Sequence, residues 1–430
     1  MQQDLIYDLL IVGSGIAGAS LFHQATRDGA SFGRVLLLEQ FELMHSKGSS
    51  HGESRIIRVA YDDYHYSLMA TKALEMWPSV KDFENFFVKT GGLDIGQLDD
   101  ENVNKVAKVS KERGIEHEVL IGAQLRQKFP QFTGLPDDTL AVYSPEAGIL
   151  NPNKIRTVLL SDYDHEKHSI VEKERVESII EGEDDIITVV TSSGKRFQTR
   201  KLSICVGAYS KKFLKQHFDL DIKFEVLRMC YVYWKLTEKA VQENVLTAAN
   251  SPIWIAWGLD PFSDRPLDLA YYGFPEWEKK GYIKSATHKV FGDLERGFDP
   301  DERAQQIDSN QERPVEKEKL QAMQTYLKKV IPEGLVKLDE SYEELINEKD
   351  RVVTCMYEMT PTEDFVIDYI PTKSGKKNIS TFLGGSGHGF KFGIVVGEML
   401  NELMKKEVSI DSSFEVCSVP REKFSINHIL

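Results

Sequence analysis

Arg55 and Arg58 stand close together in the run Ser49-Ser50-His51-Gly52-Glu53-Ser54-Arg55-Ile56-Ile57-Arg58. A guanidinium holds a carboxylate or phosphate through two parallel hydrogen bonds. One of the two can therefore bind a substrate carboxylate while the other sits against a cofactor; two surface ion pairs fit the spacing equally well. A second stretch, Gly281-Tyr282-Ile283-Lys284-Ser285-Ala286-Thr287-His288, alternates. In a strand, Tyr282, Lys284, Ala286 and His288 share one face. On spacing alone that face reads as solvated, because lysine seldom faces a core. A third stretch, Ser386-Gly387-His388-Gly389-Phe390-Lys391-Phe392, precedes Val396, Met399, Leu400 and Leu403 at helical spacing. A helix start there exposes N–H groups and a positive dipole end, which favours negative charge on a bound group. The alternative is an ordinary glycine-rich loop. Cys355, in Thr354-Cys355-Met356-Tyr357, reads by itself as a small buried apolar residue.

These groups need a frame, and the frame begins at the N-terminus. The apolar run Ile6 to Val12 is followed by Gly13-Ser14-Gly15-Ile16-Ala17-Gly18 and an apolar stretch from Ala19 to Ala25. This reads as strand, turn and helix with G-x-G-x-x-G at the turn. Gly13 permits the tight turn, Gly15 lets backbone approach a pyrophosphate, and Gly18 lets the helix pack on its strand. The free N–H groups of the helix start attract the phosphates. A second strand, Val35 to Leu38, ends in Glu39, where a ribose hydroxyl needs an acceptor. The segment implies a dinucleotide without saying which one.

A chain of 430 residues, 41% apolar and 28% charged, has ordinary globular composition and length for two or more domains. Its net charge of −14 argues against nucleic acid or an anionic membrane as main partner. The 4 cysteines, with no C-x-x-C pair, fit a reducing compartment rather than a disulfide framework or zinc site. No apolar run approaches the roughly 20 residues of a membrane span, and no signal peptide is expected. His428-Ile429-Leu430 is not a clear peroxisomal tail. A cytoplasmic monomer is expected, with the peroxisome left open.

Further along, helices are expected over about Tyr66 to Trp77, Asn102 to Arg113, from Pro152, and over Glu316 to Val330. Strands are expected at Ile187 to Val190 and Lys201 to Val206, the latter ending in Gly207. Met229 to Lys235, Ile253 to Trp257, Leu267 to Tyr272 and Tyr282 to Val290 suggest a second, largely antiparallel sheet. No long linker separates the halves. The expected fold class is α/β, with a discontinuous Rossmann-like dinucleotide domain (1–86, 147–216 and 346–430). It is interleaved with a substrate domain (87–146 and 217–345) built on a mixed, largely antiparallel sheet.

Taken together, G-S-G-I-A-G at 13–18, S-S-H-G-E-S-R-I-I-R at 49–58, Y-Y-G-F-P at 271–275, T-C-M-Y at 354–357 and S-G-H-G-F-K-F at 386–392 resemble one family. It is the monomeric sarcosine oxidase group of flavin-dependent amine oxidases, which includes pipecolate oxidase and N-methyltryptophan oxidase. The resemblance implies FAD, carried on a thioether at Cys355, in place of the bland reading of that cysteine. It implies a substrate-carboxylate pair, Arg58 and Lys391, and basic residues beside the flavin, His51 and Arg55. It makes Lys284 the oxygen-activating lysine, and His288 and Tyr271 active-site residues. The implied cofactor set is Gly13, Gly15, Gly18, Glu39, Ser50, Val176, Gly207, Cys355, Gly387, His388, Gly389 and Lys391. The implied partners are an amino acid, namely sarcosine, another N-methyl amino acid or a cyclic imino acid such as L-pipecolate, and molecular oxygen. The rivals are a fructosyl-amino-acid oxidase, an amine dehydrogenase with another electron acceptor, and a flavoprotein without catalysis. Ser285-Ala286-Thr287 and Phe382-Leu383-Gly384-Gly385 depart from the usual family runs, as do Trp254, Trp257 and the insertion-like stretch 259–266, so the substrate is less determined than the chemistry.

Overall fold

The computed structural model describes residues 5–27, 29, 32–182, 184–258, 270–288 and 296–430. A six-stranded sheet runs in the spatial order Ser169–Val171, Val35–Leu38, Leu9–Val12, Leu202–Ile204, Ile379–Leu383 and Val366–Tyr369. Its pairings are parallel except the last. Leu9–Val12 and Val35–Leu38 are apolar and buried throughout because both faces of a parallel sheet are covered. Leu9, Ile11 and Leu37 enter one core, while Leu10, Val12, Leu36 and Leu38 enter the other. Each such side chain contributes about 1.5–3 kcal/mol by leaving water. The helix Ile16–Thr26 follows the glycine turn, and the helix Gly393–Lys405 packs on it.

The run Ile6 to Val12 is not one strand. Asp8 interrupts it, because its Oδ2 accepts the amide N–H groups of Gly33 and Arg34 at 2.9 Å each. Ile6–Tyr7 pairs with Gln198 and Thr199 in a four-stranded sheet, which also holds Ile187–Thr191. The helix Tyr64–Met76 begins earlier than the apolar spacing suggests, because Asp63 caps it by accepting the Tyr66 N–H at 2.8 Å.

The second large sheet has eight strands, in the order Val352–Met359, Glu225–Lys235, Tyr282–His288, Ala270–Phe274, Ile253–Ala256, Gly92–Gln97, Thr139–Ser144 and Glu118–Ile121. Ile253–Ala256 pairs with Gly92–Gln97 in parallel, and every other pairing is antiparallel. The fold is thus a Rossmann-like α/β unit joined to a mixed, largely antiparallel sheet. Val352–Met359 falls in the segment expected with the dinucleotide part, yet it is an edge of this sheet, with Cys355 opposite Met229.

One face of the large sheet packs Val232, Trp234, Tyr271 and Ile283 against Leu320, Met323, Tyr326 and Leu327 of the helix Lys317–Val330. The other face carries Tyr231, Tyr233, Tyr272 and Ala286. Residues 267–269 and 289–290 of the expected strands, and the stretch 259–266, lie outside the described residues. Among the described residues no helix is long and apolar enough to cross a membrane.

Candidate active site

Two clefts meet where the parallel strands end. The first encloses about 1100 Å³, open solvent included, and is lined by Gly13, Gly15, Glu39, Ser50, Val176 and Gly207. Gly13 has φ +102°, which an L side chain avoids, and a Cβ there would strike the carbonyl oxygen of Cys205. A Cβ on Gly18 would strike the carbonyl oxygen of Gly13, so the glycine lets the helix seat directly on the turn. Glu39 accepts the Ser14 N–H at 2.8 Å and its hydroxyl at 2.7 Å through Oε2, and the Phe41 N–H at 3.0 Å through Oε1. Burial opposes its ionisation, but these bonds and the nearby His45 imidazole hold the carboxyl below its usual range. Ser50 Oγ accepts the Ile16 N–H at 3.0 Å and thereby caps the helix start.

Arg156 also lines this cleft, and no sequence motif announced it. Its side chain is buried, with Nε donating to the Ser14 carbonyl at 3.3 Å. Burial pushes its pKa down to about 10, opposed by Glu39.

The second cleft encloses about 1510 Å³, open solvent included. Lys284, His288, Arg55, Arg58, Cys355, Gly387, His388, Gly389 and Lys391 all line it. Lys284 is buried, not solvated as spacing alone suggests, because its sheet face is roofed by the 49–58 segment. Its Nζ donates to the carbonyl and hydroxyl oxygens of Ser54 at 3.0 Å each and lies 4.0 Å from the Tyr231 ring centroid. Burial, with Arg55 nearby, pushes its pKa well below the lysine range. Arg55 ties its own loop together, donating to the carbonyl oxygens of Ser49 (3.0 Å), His51 (2.6 Å) and Ser54 (2.9 Å).

Arg58 and Lys391 converge on one tyrosine. The Arg58 guanidinium lies 4.4 Å from the Tyr61 ring centroid, and Lys391 Nζ donates to Tyr61 Oη at 2.8 Å. Burial and the neighbouring Arg58 push the Lys391 pKa well down. Arg58 is no surface arginine: it is 6% exposed, and its Nη1 donates to both carboxylate oxygens of Asp94 at 2.7 Å. Asp94 also accepts from the Trp257 indole N–H at 3.1 Å.

Two expected residues fall elsewhere. Tyr271 is 1% exposed and stacks on Tyr326 at 4.3 Å, on the sheet face away from the cleft. Alternation puts its neighbour Tyr272 in the cleft instead, with Oη 3.4 Å from Tyr357 Oη. His51 is buried, but neither cleft includes it in its wall. Burial, with Arg55 beside it, pushes its pKa well below the imidazole range. Cys355 lies 7% exposed beside Leu227, Met229 and Tyr357. Its strand is held by Arg303, which donates to the Thr354 carbonyl and hydroxyl oxygens (3.0 and 3.1 Å) and to the Ser46 carbonyl (3.0 Å). Gly387, at φ +75°, leaves room for the rings of Tyr357 and His288, where a Cβ would collide with both.

A family model described as FAD dependent oxidoreductase matches residues 8–403. The chain belongs to that family. A probable sarcosine oxidase of Arabidopsis thaliana is 28% identical, over 92% of this chain and 88% of that protein. A peroxisomal sarcosine oxidase of Homo sapiens is also 28% identical, over 94% and 93%. The solved structure of NikD, an amino acid oxidase essential for nikkomycin biosynthesis, superposes with a TM-score of 0.74 at 17% identity, covering 98% of each chain.

The residues present fit FAD. The glycine turn, the helix start and Arg156 suit a diphosphate, and the first cleft opens into a second, aromatic one. Ile16, Ser49, Ser50, Glu358 and Phe382 line both, so one elongated cofactor can occupy the two together.

Proposed function

We propose that the protein is an FAD-dependent oxidase of a secondary amino acid, such as sarcosine, another N-methyl amino acid or L-pipecolate. The observation that carries this reading is the meeting of Arg58 and Lys391 on Tyr61, in the cleft that also contains Lys284 and Cys355. Bound FAD supplies the two-electron acceptor.

Arg58 and Lys391 hold the substrate carboxylate, which fixes the direction of the carbon–hydrogen bond to be broken. The positive field of Arg58 and Arg55 lowers the pKa of the substrate amine and favours its reactive neutral form. Tyr272, Tyr357 and Phe274 give that amine an apolar, aromatic surround. The substrate leaves as an imine, having lost two electrons and two protons, and dioxygen takes these up as hydrogen peroxide. Burial and Arg55 depress the Lys284 pKa, and negative charge arriving beside the amine opposes that depression and favours its protonated form, so Lys284 supplies a cation where oxygen is reduced. His288 stands beside Tyr357 in the same wall.

Cys355 fits a covalent tether to the ring. The tether is tested by acid precipitation: the wild-type pellet stays yellow and the Cys355→Ala pellet does not. Colour lost from both refutes it.

The function is tested with a peroxide-coupled screen over sarcosine, L-pipecolate, proline, N-methyltryptophan and fructosyl amino acids. Peroxide from a small secondary amino acid supports the reading. Turnover of only the fructosyl compounds, or turnover without peroxide, replaces it with a fructosyl-amino-acid oxidase or a dehydrogenase respectively.

A further inference from the structure

Glu358 lies on the strand Val352–Met359, at the junction of the two clefts. It is 9% exposed, and its Oε2 has no hydrogen-bond partner among the described residues. The groups around it are small. A Cβ on Gly385 would stand 3.1 Å from Oε1, and one on Gly207 would stand 3.6 Å from Oε2. A carboxylate buried against glycine backbone with a free oxygen is costly unless something donates to it. The backbone N–H groups of Gly384 and Gly385 offset part of the burial, yet the carboxyl is still pushed up to about 7. A second polar atom at the junction, Ser49 Oγ, is likewise buried without a hydrogen-bond partner among the described residues.

The missing partner has a definable chemistry. The glycine turn at Gly13 and Gly15, with Arg156, Arg175 and Lys212, lines the first cleft only, so the phosphates belong there, while Glu358 stands where that cleft joins the second. The aromatic walls of Tyr231, Tyr272 and Phe274 line the second cleft only. What passes between the two must be uncharged, slender and rich in hydroxyl donors. We propose that Glu358 is a cofactor-binding residue whose free Oε2 accepts hydrogen bonds from the hydroxyl groups of the ribityl chain of FAD. Ser49 Oγ completes the same corridor. This inference rests on the FAD dependence of the family and not on the identity of the substrate.

The test is a set of titrations on full-length apo-protein, made under riboflavin limitation in the Cys355→Ala background so that binding is reversible. The probes are FAD, riboflavin, ADP and lumiflavin, a ring without the ribityl chain. Glu358→Ala is expected to weaken FAD and riboflavin about ten-fold or more, since the hydrogen bonds to its carboxyl oxygen are lost. ADP and lumiflavin should bind as before. Glu358→Gln, which keeps the shape and one acceptor, should show the same pattern at smaller amplitude and covers the case in which the alanine variant fails to fold. Unchanged FAD affinity in both variants would overturn the proposal and leave Glu358 as a partner of the glycine loop alone. An equal loss for ADP would also overturn it, because the residue would then serve the phosphates or the fold. No amine is present in these titrations, so their outcome is independent of the substrate assignment.

Discussion

Arg58 and Asp94 form a buried ion pair in which one guanidinium nitrogen is shared between both carboxylate oxygens at 2.7 Å. Burial pushes the Asp94 carboxyl up, while Arg58 and the Trp257 indole N–H oppose it. Asp94 therefore orients the arginine and also offsets its charge. Asp94→Asn keeps an acceptor for Nη1 but removes the counter-charge. It should destabilise the protein by about 3 kcal/mol, the lower end for a broken buried pair. It should also tighten the binding of a simple carboxylate inhibitor such as acetate, because Arg58 then attracts it unopposed. Weaker acetate binding would mean that orientation outweighs charge.

Tyr61 is the common contact of Arg58 and Lys391, the proposed substrate-binding pair. Tyr61→Phe leaves the ring under Arg58 but removes the oxygen that accepts from Lys391. KM for the amino acid should rise about ten-fold, the effect of roughly 1.4 kcal/mol. The rate of cofactor reduction at saturating substrate should change far less. Stopped-flow reduction over a range of substrate concentrations separates the two.

Lys284→Met tests oxygen activation and the linkage of charge to stability. Reoxidation by oxygen should slow about 100-fold or more, with reduction by substrate little changed. Equal slowing of both half-reactions would remove the assigned role. In apo-protein, the native lysine pKa is depressed below its unfolded value near 10.5. Between those two values the unfolded chain binds the extra proton, so wild-type stability rises with pH through that window. The methionine variant lacks this dependence and should be the more stable one at neutral pH, the gap closing toward pH 10. Urea melts at a series of pH values measure it.

Adjacent tyrosines on one strand should behave as opposites. Tyr271→Ala opens a cavity against Tyr326 in the core and should cost about 3–5 kcal/mol, with turnover per folded molecule preserved. Tyr272→Phe removes only a hydroxyl that faces the cleft, so it should alter kinetics and leave the melting temperature within a few degrees.

Gly18→Ala places a methyl group against the Gly13 carbonyl. The helix must lift from the turn, at a cost of about 1–3 kcal/mol for overpacking. FAD content should fall with it, read from the flavin absorbance of purified protein.

The sequence by itself determined the elements whose signal is local. The glycine turn, the strands Leu9–Val12 and Val35–Leu38 beside it and the alternation of Tyr282–His288 are short-range patterns and are present, although Asp8 splits the run Ile6 to Val12 that reads as one strand. The clustering of motifs also marked Arg58, Lys284, Cys355 and Lys391, which do line one cleft. Tertiary structure alone decided what each of these faces. Alternation says that Tyr271 and Tyr272 point opposite ways but not which way is inward; the helix Lys317–Val330, packed on one sheet face, settles that. Asp94, Arg156 and Glu358 carry no local signature, because a buried charge is defined by neighbours distant in sequence. Asp94, on the large sheet, meets Arg58 of the strand Arg55–Arg58 in a separate three-stranded sheet, Arg156 meets Ser14 across helix packing, and Glu358 meets Gly207 and Gly385 only where two sheets converge. The residue types of the site were legible one by one, whereas its electrostatics came into being only when the two sheets closed on each other.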